Sequence, residues 1–174
     1  MTSDTLVFQI LNNKRVRLSQ VDSTSTGIYA IFDKDKLVYV GKAEGAGGFR
    51  SRVRNQHGSG NSCVSSFCNY LRSEKGITVS TEELKTFIEI EAPVKLEELK
   101  VQNYLENNVS VSLVEIDTKT ELEDVDELPE NFLLNTYFPN TSAKLWNYAT
   151  KRSEKITLEE YRERMNLSYK MLLD

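Results

Sequence analysis

Groups that bind phosphate or move protons are concentrated in one stretch of the chain, TGIYAIFDKDKLVYVGKAEGAGGFRSRVRNQH, which runs from Thr26 to His57. Tyr29 and Tyr39 each lie on a short apolar run. Lysine, glycines and three arginines follow the second run, and the stretch ends at the only histidine of the chain. Guanidinium groups bind phosphate, and imidazole and phenol groups transfer protons. The stretch is therefore our candidate for phosphate chemistry.

The distribution of charge supports a local phosphate-binding surface. The net charge of the chain is -4. Residues 34–57 carry six basic and two acidic side chains, a balance of +4, whereas residues 82–130 carry fifteen acidic and four basic ones, a balance of -11. A focused positive patch can hold phosphates while the rest of the surface repels them. The acidic segment is interpreted as a solvated face.

The bulk composition predicts one soluble domain. The chain has 174 residues, of which 39% are apolar, enough for a packed core. Its start has neither the pattern of a signal peptide nor an apolar run long enough to span a membrane. Cys63 and Cys68 do not have the spacing of zinc ligands, and the chain has only one histidine, so we expect no structural zinc site. We expect a cytoplasmic protein with no membrane partner and with reduced cysteines on a helix.

Hydrophobic patterns predict an α+β domain with a small antiparallel sheet. GIYAIF and LVYVGK, separated by DKDK, indicate a β-hairpin, and the alternation in VSVSLVEI indicates a third strand. TLVFQIL is predicted as a first strand or lead-in. Helices are predicted for GGFRSRVRNQH, for SCVSSFCNYLRSE with Ser62 as a cap, for STEELKTFIEI capped by Ser80 or Thr81, for KLEELKVQNYLENN, for PENFLLNTYFP, and for TLEEYRERMNLSYKMLL capped by Thr157.

The register of the hairpin decides whether the two phenols share a face. If Phe32 pairs with Lys36, the loop has three residues and Tyr29 lies opposite Tyr39, with both phenols on one side. A two-residue turn would place Tyr29 opposite Val40 and send the tyrosines to opposite faces. The residues do not decide between these registers.

The hairpin resembles the signature of the GIY-YIG nuclease family. GIY is followed, after nine residues, by YVG and a lysine, and Phe49 precedes Arg52 by three positions as in that family. The resemblance covers residues 26–147. It implies one GIY-YIG-like nuclease domain over residues 1–174, with a small antiparallel (mixed) three-stranded sheet flanked by helices and a helical extension at 148–174.

The later part of the family pattern is matched incompletely. Glu130, Leu133, Leu134 and Pro139 fall at the matching offsets, but Ser142 stands where the family has asparagine, and Asn140 lies two residues earlier. Pro129 places Glu130 at the very start of its helix. Glu127 is therefore a second candidate for the same role, and Asn140 is interpreted as a turn residue.

The histidine also departs from the family pattern. Gln56 stands four residues after Arg52, where the family often has histidine, and His57 is one further on. On an ideal α-helix, positions five apart differ by about 140° in direction. Arg52 and His57 can meet only if the helix ends or bulges between them, and Gly58 favours an early end. Alternatively, Arg54 and His57 form the functional pair.

The resemblance implies metal-dependent hydrolysis of phosphodiester bonds in DNA. Glu130 would hold Mg²⁺ (or Mn²⁺), which prefers oxygen ligands. Arg52 would bind the scissile phosphate. Tyr29 would take a proton from water, and Tyr39 would donate a hydrogen bond to the phosphate. Because a free tyrosine has a pKa of about 10, Tyr29 needs tuning by a neighbour.

The same resemblance implies roles for other basic residues, in tuning the base and in contacting DNA. Lys42 or His57 would tune the base, and Lys42, Arg50 and Arg54 would contact the nucleic acid. The chain is too short for an obvious second DNA-binding domain. Target recognition would fall to the acidic-flanked helices or to a second subunit, so a homodimer is one expected arrangement.

Two functions follow from these features. The first is a DNA endonuclease, restriction-like or from a mobile element. The second is a catalytically weakened GIY-YIG domain that binds nucleic acid or a protein, as the missing asparagine and the displaced histidine suggest.

Overall fold

The computed structural model describes residues 1–61, 65–80, 82–83 and 92–138, which form an α+β domain as predicted. Its elements, in chain order, are helix α1 (Ser3–Asn12), a 3-10 turn (Leu18–Gln20), strands β1 (Gly27–Asp33) and β2 (Lys36–Ala43), a π-helix (Arg50–His57), helices α2 (Ser66–Glu74) and α3 (Ala92–Asn108), strand β3 (Val109–Glu115), helix α4 (Pro129–Asn131) and a second π-helix (Phe132–Tyr137). We call Arg50–His57 the arginine helix, and α4 with the π-helix that continues it the glutamate helix.

The sheet has three antiparallel strands in the order β2-β1-β3, which confirms the predicted hairpin and third strand. β1 is central, and all seven of its residues are buried. One face packs Tyr29 and Ile31 against the arginine helix, α2 and α3. The other face packs Ile28 and Phe32 against α1 and the glutamate helix. Burial on both faces explains why GIYAIF is continuously apolar.

A β-bulge sets the register of the hairpin, and neither expected register is correct. The turn has two residues, since Asp33 pairs with Lys36, but Phe32 pairs with Leu37 while Ile31 pairs with Tyr39. One extra residue, Val38, is therefore inserted into β2. Because the insertion reverses the alternation beyond it, Tyr39 points to the same face as Tyr29. Tyr29 itself lies opposite Gly41.

The prediction of a first strand at TLVFQIL is wrong, because these residues belong to helix α1. The Thr2 hydroxyl caps the helix by accepting a hydrogen bond from the backbone of Thr5. Leu6 and Ile10 are fully buried at helical spacing. Threonine, valine and isoleucine favour strands in isolation, but burial of this apolar stripe against the sheet outweighs that preference.

One predicted helix cap lies a turn too early, and the other was predicted correctly as one of two candidate residues. Helix α2 begins after Ser65, whose hydroxyl accepts from the backbone of Cys68, and not after Ser62. Ser80 and Glu83 form a reciprocal capping box, which selects Ser80 over Thr81. The cap predicted at Thr157 and the helical extension at 148–174 lie outside the described residues.

Over the residues that the structure describes, none of the helices has the length and apolar character needed to cross a membrane.

Gly41 is required because the Tyr29 ring lies against it. A Cβ atom at Gly41 would lie 2.5 Å from the Tyr29 hydroxyl oxygen and 2.6 Å from Cζ. We expect Gly41→Ala to lower the free energy of unfolding by about 1–3 kcal/mol through overpacking. The cost should shrink in a Tyr29→Leu background, which removes the two closest of the clashing atoms. Urea denaturation of the four proteins of this double-mutant cycle measures the coupling.

Gly76→Ala is the matched control, since nothing lies within 4 Å of its added Cβ and its positive φ imposes the same strain in either background. Its coupling to position 29 should be close to zero. An equal cost of Gly41→Ala with Tyr29 and with Leu at position 29 would contradict the placement of the phenol.

Candidate active site

The arginine helix is π-wound, and this winding brings Arg52 and His57 together. The N–H of Gly58 donates to the carbonyl oxygen of Val53, a hydrogen bond that spans five residues. Residues five apart therefore lie nearly above one another, where an α-helix would separate them. Of the two conditions under which Arg52 and His57 were expected to meet, a helix that ends or a helix that bulges between them, the structure has the second. Arg54 does not pair with His57, since its guanidinium forms an ion pair with Asp22.

His57 connects the arginine helix to the sheet. Its side chain is 2% exposed, and its Nε2 shares a hydrogen bond of 2.8 Å with the hydroxyl of Tyr29. Its Nδ1 shares a second hydrogen bond of 2.8 Å with the hydroxyl of Ser65. Aromatic rings surround the imidazole, with Tyr39 at 5.5 Å and Phe67 at 5.3 Å between ring centres. Both ring nitrogens are thus used inside the protein.

Burial holds this imidazole in its neutral form. Desolvation, followed by the nearby charge of Arg52, lowers the pKa of His57 to about 3. At neutral pH His57 therefore has one N–H donor and one nitrogen acceptor. It cannot supply a positive charge to the site, but it can stabilise a charge on Tyr29 through a hydrogen bond.

Tyr29 and Tyr39 lie side by side on the same face of the sheet. Their rings are stacked with centres 6.1 Å apart, and Tyr29 is fully buried while Tyr39 is 7% exposed. Burial is the largest cause that raises the pKa of each phenol, and the neighbouring Arg52 guanidinium lowers it. Both phenols are consequently protonated at neutral pH in the free protein.

Arg52 is the cation of the cluster. Its half-buried guanidinium acts electrostatically on both phenols, and its Nη1 donates a 2.5 Å hydrogen bond to Oε1 of Gln56. Gln56, which replaces the histidine expected four residues after Arg52, therefore orients the arginine. A guanidinium has five N–H donors, and those not engaged by Gln56, Tyr29 and Tyr39 remain available for another anion.

Glu130 reaches the same phenols from the glutamate helix, which contacts the edge strand β2. Its carboxylate raises the pKa of Tyr29 and of Tyr39. Among the described residues it accepts no hydrogen bond and forms no ion pair, including with Arg52. Glu127 instead accepts hydrogen bonds of 3.0 and 3.3 Å from the Thr136 hydroxyl. The geometry therefore places Glu130, and not Glu127, in the cluster with the two phenols.

One free carboxylate is compatible with a hard divalent cation. Within the described ranges no three His, Cys, Asp or Glu side chains group around one point. Mg²⁺ is often held by one or two carboxylates, with waters and substrate phosphates completing its shell. The single carboxylate of Glu130 fits a magnesium ion of this kind. It does not fit a zinc site, which is built from several protein ligands.

The structure separates Lys42 from the phenols. Lys42 alternates with Gly41 along β2 and so projects from the opposite face of the sheet, where its ammonium lies 3.1 Å from the Glu44 carboxylate. The expectation that Lys42 tunes Tyr29 is not supported by this placement. Of the predicted DNA contacts, Arg54 is paired with Asp22, whereas Arg50 is exposed and has no ion pair in the described part of the chain. Asn140 and Ser142 lie outside the described residues.

Sequence reasoning missed Ser65 and assigned no role to Cys68 in the site. The Cys68 thiol is buried and donates to the carbonyl oxygen of His57 at 3.0 Å, and burial raises its pKa to about 12, so it is an unreactive contact. A serine two residues before Phe67 carries a helix-capping signal, but nothing in its position along the chain indicates contact with His57.

Comparisons with protein-family models, with curated proteins and with solved structures gave no match.

The environment of His57 predicts that it does not titrate near neutral pH. Because the chain has one histidine, its imidazole signals are unambiguous in NMR spectra. We expect no protonation of the folded protein between pH 8 and pH 5, since its pKa lies near 3. In urea the same signals should titrate at about pH 6.5.

The same shift has a consequence for stability. Between pH 6.5 and 3 the unfolded chain binds a proton at His57 that the folded chain does not, so this residue makes the free energy of unfolding fall as the pH falls. A folded-state midpoint near pH 6.5 would contradict the buried, neutral placement.

Proposed function

We propose that the protein is a metal-dependent DNA endonuclease of the GIY-YIG type. The observation that carries this proposal is that a guanidinium and a carboxylate from two separate helices act on the same pair of phenols without pairing with each other. Charges that are withdrawn from water are usually paired or coordinate a metal ion, and Arg52 and Glu130 are both partly buried. A phosphate with its cation would complete this arrangement.

Phosphate binding is assigned to Arg52. Its planar guanidinium can donate to two phosphate oxygens and counter the negative charge that grows on them during hydrolysis. Because Arg52 and Glu130 are the half-exposed members of the cluster, a phosphodiester would approach from their side. Arg50, exposed and unpaired among the described residues, is the best placed of the predicted basic residues to contact a neighbouring phosphate.

Proton removal is assigned to Tyr29. Tyr29 would lose its own proton to solvent as the site fills, and its phenolate would then take a proton from a water molecule as that water oxygen attacks phosphorus and the bond from phosphorus to the leaving oxygen breaks. Entry of substrate and water would reduce the desolvation that raises the pKa of Tyr29, while Arg52 continues to favour the phenolate. Tyr39 would donate a hydrogen bond to a phosphate oxygen. Glu130 would hold Mg²⁺ or Mn²⁺, which supplies charge stabilisation at the leaving oxygen when bound.

Removing the Tyr29 hydroxyl tests the assignment of the base. We expect Tyr29→Phe to slow metal-dependent nicking of plasmid DNA by about 10²–10⁴-fold, the usual contribution of a general base. Tyr137→Phe is the matched control, because Tyr137 is 45% exposed and its rate should stay near wild type. Circular dichroism would verify that both variants fold. If Tyr29→Phe cuts at nearly the wild-type rate, Tyr29 is not the base. Wild-type protein that binds DNA without nicking it would favour the binding-module function.

The two candidate carboxylates give a matched pair for the metal site. Glu130→Gln should lose metal-dependent nicking at all Mg²⁺ concentrations tested, whereas Glu127→Gln should retain it, because Glu127 is engaged by Thr136. Glu130 has no partner among the described residues, so Glu130→Gln should leave the thermal midpoint unchanged. Nicking by the two variants across a Mg²⁺ titration, with melting curves, measures this. Loss of nicking in Glu127→Gln alone would reverse the assignment.

A further inference from the structure

Ser65 is the innermost member of a buried hydrogen-bonded chain that leads to Tyr29. Its side chain is 3% exposed. Its Oγ accepts from the backbone N–H of Cys68 at 3.2 Å and shares a hydrogen bond of 2.8 Å with Nδ1 of His57. On the other side of the imidazole, Nε2 shares a hydrogen bond of 2.8 Å with the Tyr29 hydroxyl. Each link is within normal hydrogen-bonding distance.

The hydrogen atoms in this chain have two arrangements, because a neutral imidazole carries one N–H. If the proton is on Nδ1, it donates to Ser65 Oγ, which already accepts from Cys68. Among the described residues, the hydroxyl proton of Ser65 is then left with the thiol sulfur of Cys68 as its acceptor, which is a weak one. A buried donor without a good acceptor costs up to about 1–3 kcal/mol.

The opposite arrangement satisfies the buried end of the chain. Ser65 accepts from Cys68 N–H and donates its hydroxyl proton to Nδ1 of His57. Nε2–H of His57 then donates to the oxygen of Tyr29. The proton of Tyr29 is directed away from His57, where the adjacent Tyr39 hydroxyl and the Glu130 side of the cluster lie. In this arrangement the last proton of the hydrogen-bonded series, that of the Tyr29 hydroxyl, lies at the proposed site and not in the protein interior.

We propose that Ser65 is a positioning residue that fixes His57 as the Nε2–H tautomer, so that His57 donates a hydrogen bond to the oxygen of Tyr29 and stabilises its phenolate. The catalytic consequence rests on the proposed nuclease function, whereas the tautomer does not. His57 keeps its proton throughout, and the proton that leaves water is bound by Tyr29. The start of α2 is built around this imidazole, since Ser65, Phe67 and Cys68 all contact His57.

The tautomer can be measured in the unaltered protein. ¹⁵N spectra of the imidazole distinguish a protonated from an unprotonated ring nitrogen, and the single histidine removes any assignment problem. At pH 7 we expect a neutral ring with the proton on Nε2. A ring protonated on Nδ1 would overturn the proposal whether or not the protein cuts DNA.

Variants at position 65 test the link from tautomer to rate. Ser65→Ala removes the donor to Nδ1, and we expect an Nδ1–H population to appear and kcat for nicking to fall by roughly 10–100-fold with little change in KM. Ser65→Thr keeps the hydroxyl and should restore both the tautomer and most of the rate. Ser66→Ala is the matched control, since Ser66 is half-buried and has no side-chain hydrogen bond in the described part of the structure.

Ser65→Ala can act through the helix cap or through the tautomer, and melting curves, ¹⁵N spectra and kcat together distinguish these two effects. Ser65→Ala also removes the cap of α2, which costs about 1 kcal/mol of stability, and melting curves would show how much of the variant is folded at the assay temperature. A folded Ser65→Ala protein with the wild-type tautomer or an unchanged kcat would overturn the proposal. If wild-type protein has the Nε2–H tautomer but never nicks DNA, the proposed function fails and the positioning role of Ser65 stands.

Discussion

The arrangement of the site depends on one hydrogen bond, between the Tyr29 hydroxyl on the central strand and Nε2 of His57 on the arginine helix. Both residues are buried, so neither polar group can turn to water if the other moves away. An unsatisfied group there would cost more than most surface contacts contribute. The bond therefore fixes the arginine helix against the sheet at His57, and Arg52, on the same side of that helix, is held beside both phenols.

This meeting of groups needs two departures from regular backbone, and each adds one residue. The bulge at Val38 turns Tyr39 onto the face of Tyr29, and the π-winding of the arginine helix places Arg52 and His57 on one side. A regular two-residue hairpin would have buried the second phenol on the wrong face, and an α-helix would have separated the arginine from the histidine. Such irregularities weaken local hydrogen bonding and are common at functional sites.

These departures also explain how much could be predicted from sequence. The three strands and most of the helices follow from hydrophobic pattern, which reflects burial of whole faces. The directions in which Tyr39 and His57 project each depend on one inserted residue, in β2 and in the arginine helix respectively, and the hydrophobic pattern has no signal for either. Ser65 was missed for a related reason, since its role comes from contact with His57 across a chain reversal. Helix α1 was misassigned because its short apolar run contains three β-branched residues and one aromatic residue, types that favour strands in isolation.

A polar core that only stabilises the fold would also bury Tyr29 fully, as this cluster does. A purely structural cluster should, however, satisfy its own charges, because a partly buried charge without a partner has a desolvation cost that nothing offsets. Tyr29, His57 and Ser65 are satisfied in this way. Arg52 is bound on one side by Gln56, and Glu130 has no partner among the described residues. The cluster is thus complete toward the interior and incomplete toward the side where Arg52 and Glu130 lie, which is the asymmetry of a site that binds a ligand.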